Sequence, residues 1–178
     1  SAFVDLNDYK DIIDLSQYDQ SVLDMCKDSN GGLAGIPVSI TGRTFFWNKT
    51  TFDKAGIDIP KSLDDLIAAG NTFKEKLGDD YYPLSLSTYD RALLMSFYLQ
   101  ANTGEPIIDE SGKLTVTKDQ LVDGVKFIQN LEDNHVMPSI ATLQEDGDVA
   151  LNENPKFIDG HYAGVFEWDT ASPKYVSN

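Results

Sequence analysis

Two short runs hold the residue types from which a site is built. Glu167-Trp168-Asp169 sets an indole between two carboxylates at the end of the apolar run Ala163 to Phe166, and Tyr89-Asp90 sets a phenol beside a third carboxylate shortly after Leu84-Ser85-Leu86. In open α/β sheets ligands gather outside the carboxyl ends of the strands, and an aromatic face beside an acid can stack on a sugar ring while the acid accepts its hydroxyl hydrogen bonds. Both runs follow an expected strand, so Tyr89, Asp90, Glu167, Trp168 and Asp169 are candidate ligand contacts. The competing use is packing, with Tyr89 filling core and Trp168 an ordinary half-buried indole. Glu167 and Asp169 also invite comparison with a glycosidase's acid and base. That chemistry needs two carboxyls about 5 to 9 Å apart across a bound sugar, which neighbours on opposite faces of a strand do not ensure.

Other reactive groups carry less. His135 and His161 are the only histidines, and no G-x-S-x-G turn offers either a nucleophile, so both read as structural or surface groups. Asp146-Gly147-Asp148 has two oxygen ligands of a calcium loop but lacks the spaced acids and the closing Glu, and no metal site is expected. Asp79-Asp80 reads as a solvated acidic turn, and Asn48-Lys49-Thr50 matches a glycosylation sequon too short and common to support an argument. Cys26 is the single cysteine, which excludes an intrachain disulfide and a thiolate metal cluster. No cofactor is expected.

Charge narrows the partners. Fourteen Lys and Arg stand against 29 Asp and Glu, a net charge of -15 spread along all 178 residues. Such a surface repels phosphate backbones and anionic membranes, so nucleic acid is excluded as a partner, and a weak lean toward neutral or cationic ligands remains. No run of about 18 apolar residues is present, and Ser1 to Tyr9 has no basic start before an apolar core, so neither a membrane span nor a signal peptide is expected. Ser1-Ala2 reads as a cloning scar and the chain as an excised piece of a longer protein.

The elements that must position these residues follow from the patterning. Thr44-Phe45-Phe46-Trp47 predicts a buried strand, Phe52 to Gly56 a short helix closed by glycine, and Ser62 with Asp65 a capped longer helix with Leu63, Leu66, Ile67 and Phe73 inward. Pro83 to Leu86 predicts an alternating strand, followed by a largely buried helix over Ala92 to Leu99 with Asp90 or Thr88 as its N-cap. Ile107-Ile108 and Leu114 to Val116 predict a hairpin around Gly112. Thr117-x-x-Gln120 predicts a capping box, with Leu121, Val125, Ile128 and Leu131 as the buried stripe behind it. Gln144 to Pro155 is acidic and turn-rich, and Phe157 to Phe166 returns to helix end and strand. Strands alternating with helices give an α/β fold class, a mixed sheet flanked by helices.

The order of segments resembles a known family. Gly35-Ile36-Pro37, then Thr44-Phe45-Phe46-Trp47-Asn48-Lys49, Phe52-Asp53-Lys54-Ala55-Gly56-Ile57 and Pro60-Lys61-Ser62-Leu63-Asp64-Asp65-Leu66 are similar to the G-I-P, Y-N-K, F-x-K-A-G-I and P-K-T-W-D-E-L steps of the maltose-binding-protein-like family 1 extracellular solute-binding proteins of ABC importers. Trp47, Ser62 and Leu63 stand where that pattern has Tyr, Thr and Trp. Gln100 to Gly104 and Phe157-x-x-Gly160-x-x-Ala163 resemble two further steps, with Gly164 in place of Met.

The resemblance implies a periplasmic-binding-protein-like (type II) fold of two α/β lobes, incomplete here. Residues 1–42 are then the end of the first lobe and the crossover segment, and 43–178 the second, C-terminal-type lobe. Position by position it adds Thr41 to the candidate contacts, as the crossover residue that can touch ligand. It assigns Ser87 to Asp90 as a ligand loop and Glu167 to Asp169 as the turn bearing an aromatic platform. It also implies a non-enzymatic, monomeric receptor that takes a sugar or oligosaccharide in an inter-lobe cleft and delivers it to ABC permease subunits outside the cytoplasm, either in a periplasm or as a cell-surface lipoprotein. A glycoside hydrolase using Glu167 and Asp169, and an interaction module without a small ligand, remain the alternatives.

Overall fold

The computed structural model describes residues 2–147 and 149–176, which fall into two compact units within Ser1–Gly42 and Arg43–Asn178. The smaller unit is organised by turns around few apolar groups. A 3-10 turn over Leu6–Tyr9 precedes the α-helix α1 (Gln20–Asp24), which is capped by Asp19, and Asp5 Oδ1 accepts from Asn7 N and Leu33 N at 2.9 and 3.0 Å, tying the start of the unit to Leu33. Leu23 and Leu33 are buried, whereas Val38 and Ile40 are exposed.

In the larger unit, β1 (Arg43–Trp47) leads through Asn48, whose side chain caps α2 (Lys49–Ala55), to Gly56 in the left-handed conformation that ends the helix. Next comes α3 (Leu63–Leu77), where Ser62 caps the N-terminus by accepting from Asp65 N. Leu63, expected inward, is exposed, because as the first helical residue it sits before the turn that meets the core. After α4 (Thr88–Thr103) and α5 (Lys118–Asp133) come the short helices α6 (Ile140–Glu145) and α7 (Pro155–Ile158), then β2 (Gly164–Trp168) and α8 (Ser172–Val176). β2 therefore continues through Glu167 to Trp168.

β1 and β2 pair antiparallel with Arg43 opposite Trp168 and Phe45 opposite Phe166. The extended segment 82–86 lies along β2 on the other side. Tyr82 bridges Tyr162 in parallel, and Ser85 N donates to Gly164 O at 2.8 Å. This segment is not the alternating strand the sequence suggests. Pro83 has no N–H for a ladder, and Leu84 N bonds Val136 O instead, so Leu84, Ser85 and Leu86 are all fully buried between two neighbours. The expected hairpin likewise reduces to one antiparallel bridge, Ile108 to Leu114, closed by Asp109 and by Gly112 at φ +79°.

The helices pack on this small sheet. Leu66, Leu94, Phe127, Leu131 and Phe166 belong to one buried cluster, and Phe52, Phe73 and Ala163 to a second, where the Phe52 and Phe73 rings meet edge to face at 5.0 Å. α4 and α5 join through the Tyr98–Phe127 stack at 4.1 Å and through Gly124, where a Cβ would come within 2.9 Å of Met95. The buried face of α5 is thus Gly124, Phe127 and Leu131, and Val125, expected inside, is exposed. α4 is half-buried: Leu94 and Leu99 are inside while Ala92 and Phe97 are exposed. Arg91, buried in α4, donates to Leu86 O at 2.9 Å, to Pro138 O at 2.5 Å and to Glu132. It thereby pins the end of the 82–86 segment, from which the site begins.

At Gly70, α3 comes very close to the turn that follows α5. A Cβ there would lie 2.1 Å from the carbonyl oxygen of Asn134 and 2.9 Å from Val136 N, all backbone that cannot rotate away. Gly70→Ala is expected to destabilise the fold by about 2 kcal/mol or more, despite the roughly 1 kcal/mol by which alanine favours a helix interior. A lowered urea midpoint at unchanged slope checks this, and a raised midpoint would contradict the close packing.

Candidate functional site

The start of α4 and the end of β2 bring the candidate residues together. Ser87 is the N-cap of α4: its Oγ accepts from Asp90 N at 3.2 Å and donates to Asp90 Oδ2 at 2.6 Å. The cap is therefore neither Asp90 nor Thr88. Asp90 takes the third helical position, where its carboxylate accepts from the Ser87 hydroxyl and meets the positive end of the helix. Tyr89, in the same turn, is 62% exposed and is not core.

Arg43 joins the two elements. Its side chain is only 1% exposed, and its Nη2 donates to Asp90 and to the carbonyl of Phe166 and lies 3.6 Å from Glu167 Oε1. Three rings surround the guanidinium, with centroids 5.0 Å away for Phe166, 5.1 Å for Trp168 and 5.9 Å for Tyr89. A buried guanidinium stabilised by two carboxylates and aromatic faces fixes the positions of everything it touches. Its Nε and Nη1 are buried without a protein partner.

These groups open on a cavity of about 490 Å³, within the size range of small-ligand sites. Arg43, Ser87, Tyr89, Asp90, Glu167 and Trp168 form one part of its wall, and Thr170, Ala171 and Lys174 the other. Four of the sequence-derived candidates, Tyr89, Asp90, Glu167 and Trp168, share this wall. Asp169 does not. It opens the turn after β2, exposed, with Oδ1 accepting from Thr170 N at 2.7 Å. Thr41 belongs to the smaller unit and is exposed there.

Glu167 is held in place. Oε1 accepts from Trp168 N at 2.8 Å and Oε2 from the Tyr175 hydroxyl at 3.3 Å. Burial, followed by the neighbouring Glu167 carboxylate, pushes the Tyr175 phenol up to about 12, so it keeps its proton at any ordinary pH. Each carboxylate oxygen has a second lone pair, so Asp90 and Glu167 can still accept hydroxyl donors from the cavity. The wall therefore offers two ring faces, two fixed acceptors and the Lys174 ammonium.

Arg43, Lys174 and Tyr175 were not apparent as site residues in the sequence, and Ser87 entered only through the family resemblance, at the start of the loop Ser87 to Asp90. A basic residue at a strand start usually belongs to a solvated surface. The one signal was rarity, since the chain has only two arginines, Arg43 and Arg91.

The two histidines and the Asp146 carboxylate serve the fold. His135 Nε2 lies 3.0 Å from Tyr81 O and its ring stacks on Tyr82 at 4.2 Å, while His161 stacks on Tyr81 at 4.1 Å. Asp146 bonds the Tyr162 hydroxyl and pairs with Lys156 at 2.8 Å; Asp148, its neighbour in the Asp146-Gly147-Asp148 motif, lies outside the described residues. Among the described residues no group of three or more His, Cys, Asp or Glu could hold a metal ion, and no helix is long and apolar enough to cross a membrane.

Comparison with known proteins places this geometry in context. A periplasmic solute binding protein from Pectobacterium atrosepticum superimposes with a TM-score of 0.91 at 37% identity, over 99% of this chain and 44% of that one. A periplasmic oligogalacturonide binding protein from Yersinia enterocolitica, solved with saturated digalacturonic acid, gives 0.88 at 38% identity over 98% of this chain and 43% of that one. The fold is that of periplasmic solute-binding proteins. Among curated proteins, the arabinooligosaccharide-binding protein of Halalkalibacterium halodurans is 26% identical over 147 residues, 76% of this chain and 30% of its own length. The chain thus spans less than half the length of each of these relatives. Residues 2–173 match the family described as bacterial extracellular solute-binding protein, and the chain belongs to that family.

Proposed function

We propose that the chain forms part of a sugar-capturing receptor of an ABC importer, which holds an oligosaccharide against the Tyr89 and Trp168 rings and passes it to membrane permease subunits outside the cytoplasm. The observation behind this reading is the single cavity in which both rings flank the buried Arg43 while Asp90 and Glu167 supply fixed acceptors. Apolar ring faces beside anchored carboxylates suit the C–H face and hydroxyl rim of a sugar. The relatives named for oligogalacturonide and for arabino-oligosaccharide support the same class of ligand. In this proposal residues 1–42 are the end of a first lobe with the crossover, residues 43–178 are the second lobe, and Thr41 is a contact from the crossover.

A glycosidase reading finds less support. Of its proposed pair, only Glu167 belongs to the cavity wall, and Asp169 is absent from it.

The test is calorimetry with digalacturonic acid and arabinotriose on the 178-residue chain and on a two-lobed protein carrying it. A ring stacked on Trp168 gains about 2 to 3 kcal/mol, no more than association itself costs, so the chain alone should bind more weakly than about 1 mM and the two-lobed form in the micromolar range. Equal affinities would overturn the clamp, and no binding by either would overturn sugar capture.

A further inference from the structure

A second cavity, of about 170 Å³, lies on the other side of the α4 cap, and Ser87 belongs to the walls of both. At its base is Ser85, fully buried, whose Oγ has no hydrogen-bond partner. Buried hydroxyls are almost always satisfied, so an orphan in a cavity wall points to something the cavity receives. Around it the wall divides into two kinds of surface: Thr88 and Gln144 add hydroxyl and amide groups, and Ile140, Leu143 and Leu151 supply aliphatic contact. Unlike the Arg43 cavity, this one has no ionisable side chain among the described residues of its wall.

We propose that this second cavity is a subsite for the next ring of a bound oligosaccharide, an uncharged ring, with the sugar chain passing over Ser87 from the Trp168 platform. The inference rests on the sugar-capture role proposed above and specifies its substrate: at least two rings, the second neutral. A space of about 170 Å³ is on the scale of a single sugar ring. Chemistry fits a neutral ring, because polar groups on one side meet hydroxyls and aliphatic groups on the other meet a C–H face. A uronate carboxylate there would be buried without a cation, which is unfavourable.

The test is an NMR titration of the 178-residue chain with arabinose, arabinotriose and trigalacturonic acid. Arabinose should shift the Trp168 indole N–H alone, and arabinotriose should also shift the Ser85 and Ala150 amides. Trigalacturonic acid should leave Ser85 and Ala150 unmoved. Ser85→Ala, which removes a hydroxyl that bonds nothing in the protein, should keep or raise the melting temperature while weakening arabinotriose about fivefold and leaving arabinose unchanged. Ala150→Leu, which fills the cavity from its rim, should weaken arabinotriose in the same way. If arabinotriose moves Trp168 but not Ser85, or if Ser85→Ala and Ala150→Leu both leave its affinity unaltered, the second subsite is wrong and sugar capture stands. If trigalacturonic acid shifts Ser85, the neutrality of the ring is wrong. If no probe moves Trp168, the sugar reading falls and takes the subsite with it.

Discussion

Arg43→Leu should lower the stability of the fold by about 3 kcal/mol and remove sugar binding with it. Breaking a buried ion pair by deleting one partner is far costlier than the net value of the pair, because the remaining charge keeps its desolvation penalty. Here the deletion strands two carboxylates, Asp90 and Glu167, whose side chains are only 13% and 22% exposed. The unpartnered Nε and Nη1 and the residual exposure of both acids keep the effect toward the lower end of the usual range. Arg43→Lys is the informative companion. An ammonium keeps the charge but cannot reach Asp90, the Phe166 carbonyl and the rings from one planar group, so it should recover stability only in part and leave binding impaired. Urea denaturation of the three proteins checks the order, and a loss below about 1 kcal/mol for Arg43→Leu would show that the acids are adequately solvated without it.

Trp168→Ala should have the opposite profile, with a large loss of affinity and a small loss of stability. The indole is 38% exposed and lies against the Arg43 guanidinium, an interaction of about 0.5 to 1 kcal/mol at a partly exposed site. Against a sugar, however, the ring can cover roughly 100 Å² of apolar surface, and at about 25 cal/mol/Å² that is 2 to 3 kcal/mol, or roughly fiftyfold in Kd. Trp168→Phe keeps a ring on the platform and should restore most of the affinity. Calorimetry on the proposed two-lobed protein with arabinotriose decides the matter: a change of threefold or less would mean the indole is a cover for Arg43 and not a ligand surface.

The parts of this architecture that sequence discloses are those set by local chemistry. Caps at Ser62 and at Thr117 with Gln120, the glycine stop at Gly56 and the cores of β1 and β2 follow from residue types within one turn or one strand. Tyr89, Asp90, Glu167 and Trp168 share one cavity wall because each closely follows a buried apolar run, 83–86 or 163–166, and hydropathy marks such runs even where it misjudges the strand itself. What hydropathy does not mark is contact through an absent side chain. Gly124, not Val125, faces α4, since a helix approaches most closely where it has no Cβ. Nor does it mark pairing across distance: Arg43 meets Asp90 47 positions later and the Phe166 carbonyl 123 positions later, and only the β1–β2 register brings it beneath Trp168. Asp169 stands outside the cavity wall for a related reason. β2 runs two residues further than its apolar run, so Trp168 is the last strand residue and Asp169 already belongs to the following turn.

Both arginines are enclosed, Arg43 at 1% and Arg91 at 6% side-chain exposure, whereas Lys49 and Lys74 stand well out in solvent. The chain therefore shows a dicarbonyl reagent such as phenylglyoxal almost nothing to modify, while an amine-acylating reagent labels it at once. The interval between the two labels measures how long the native fold goes without opening.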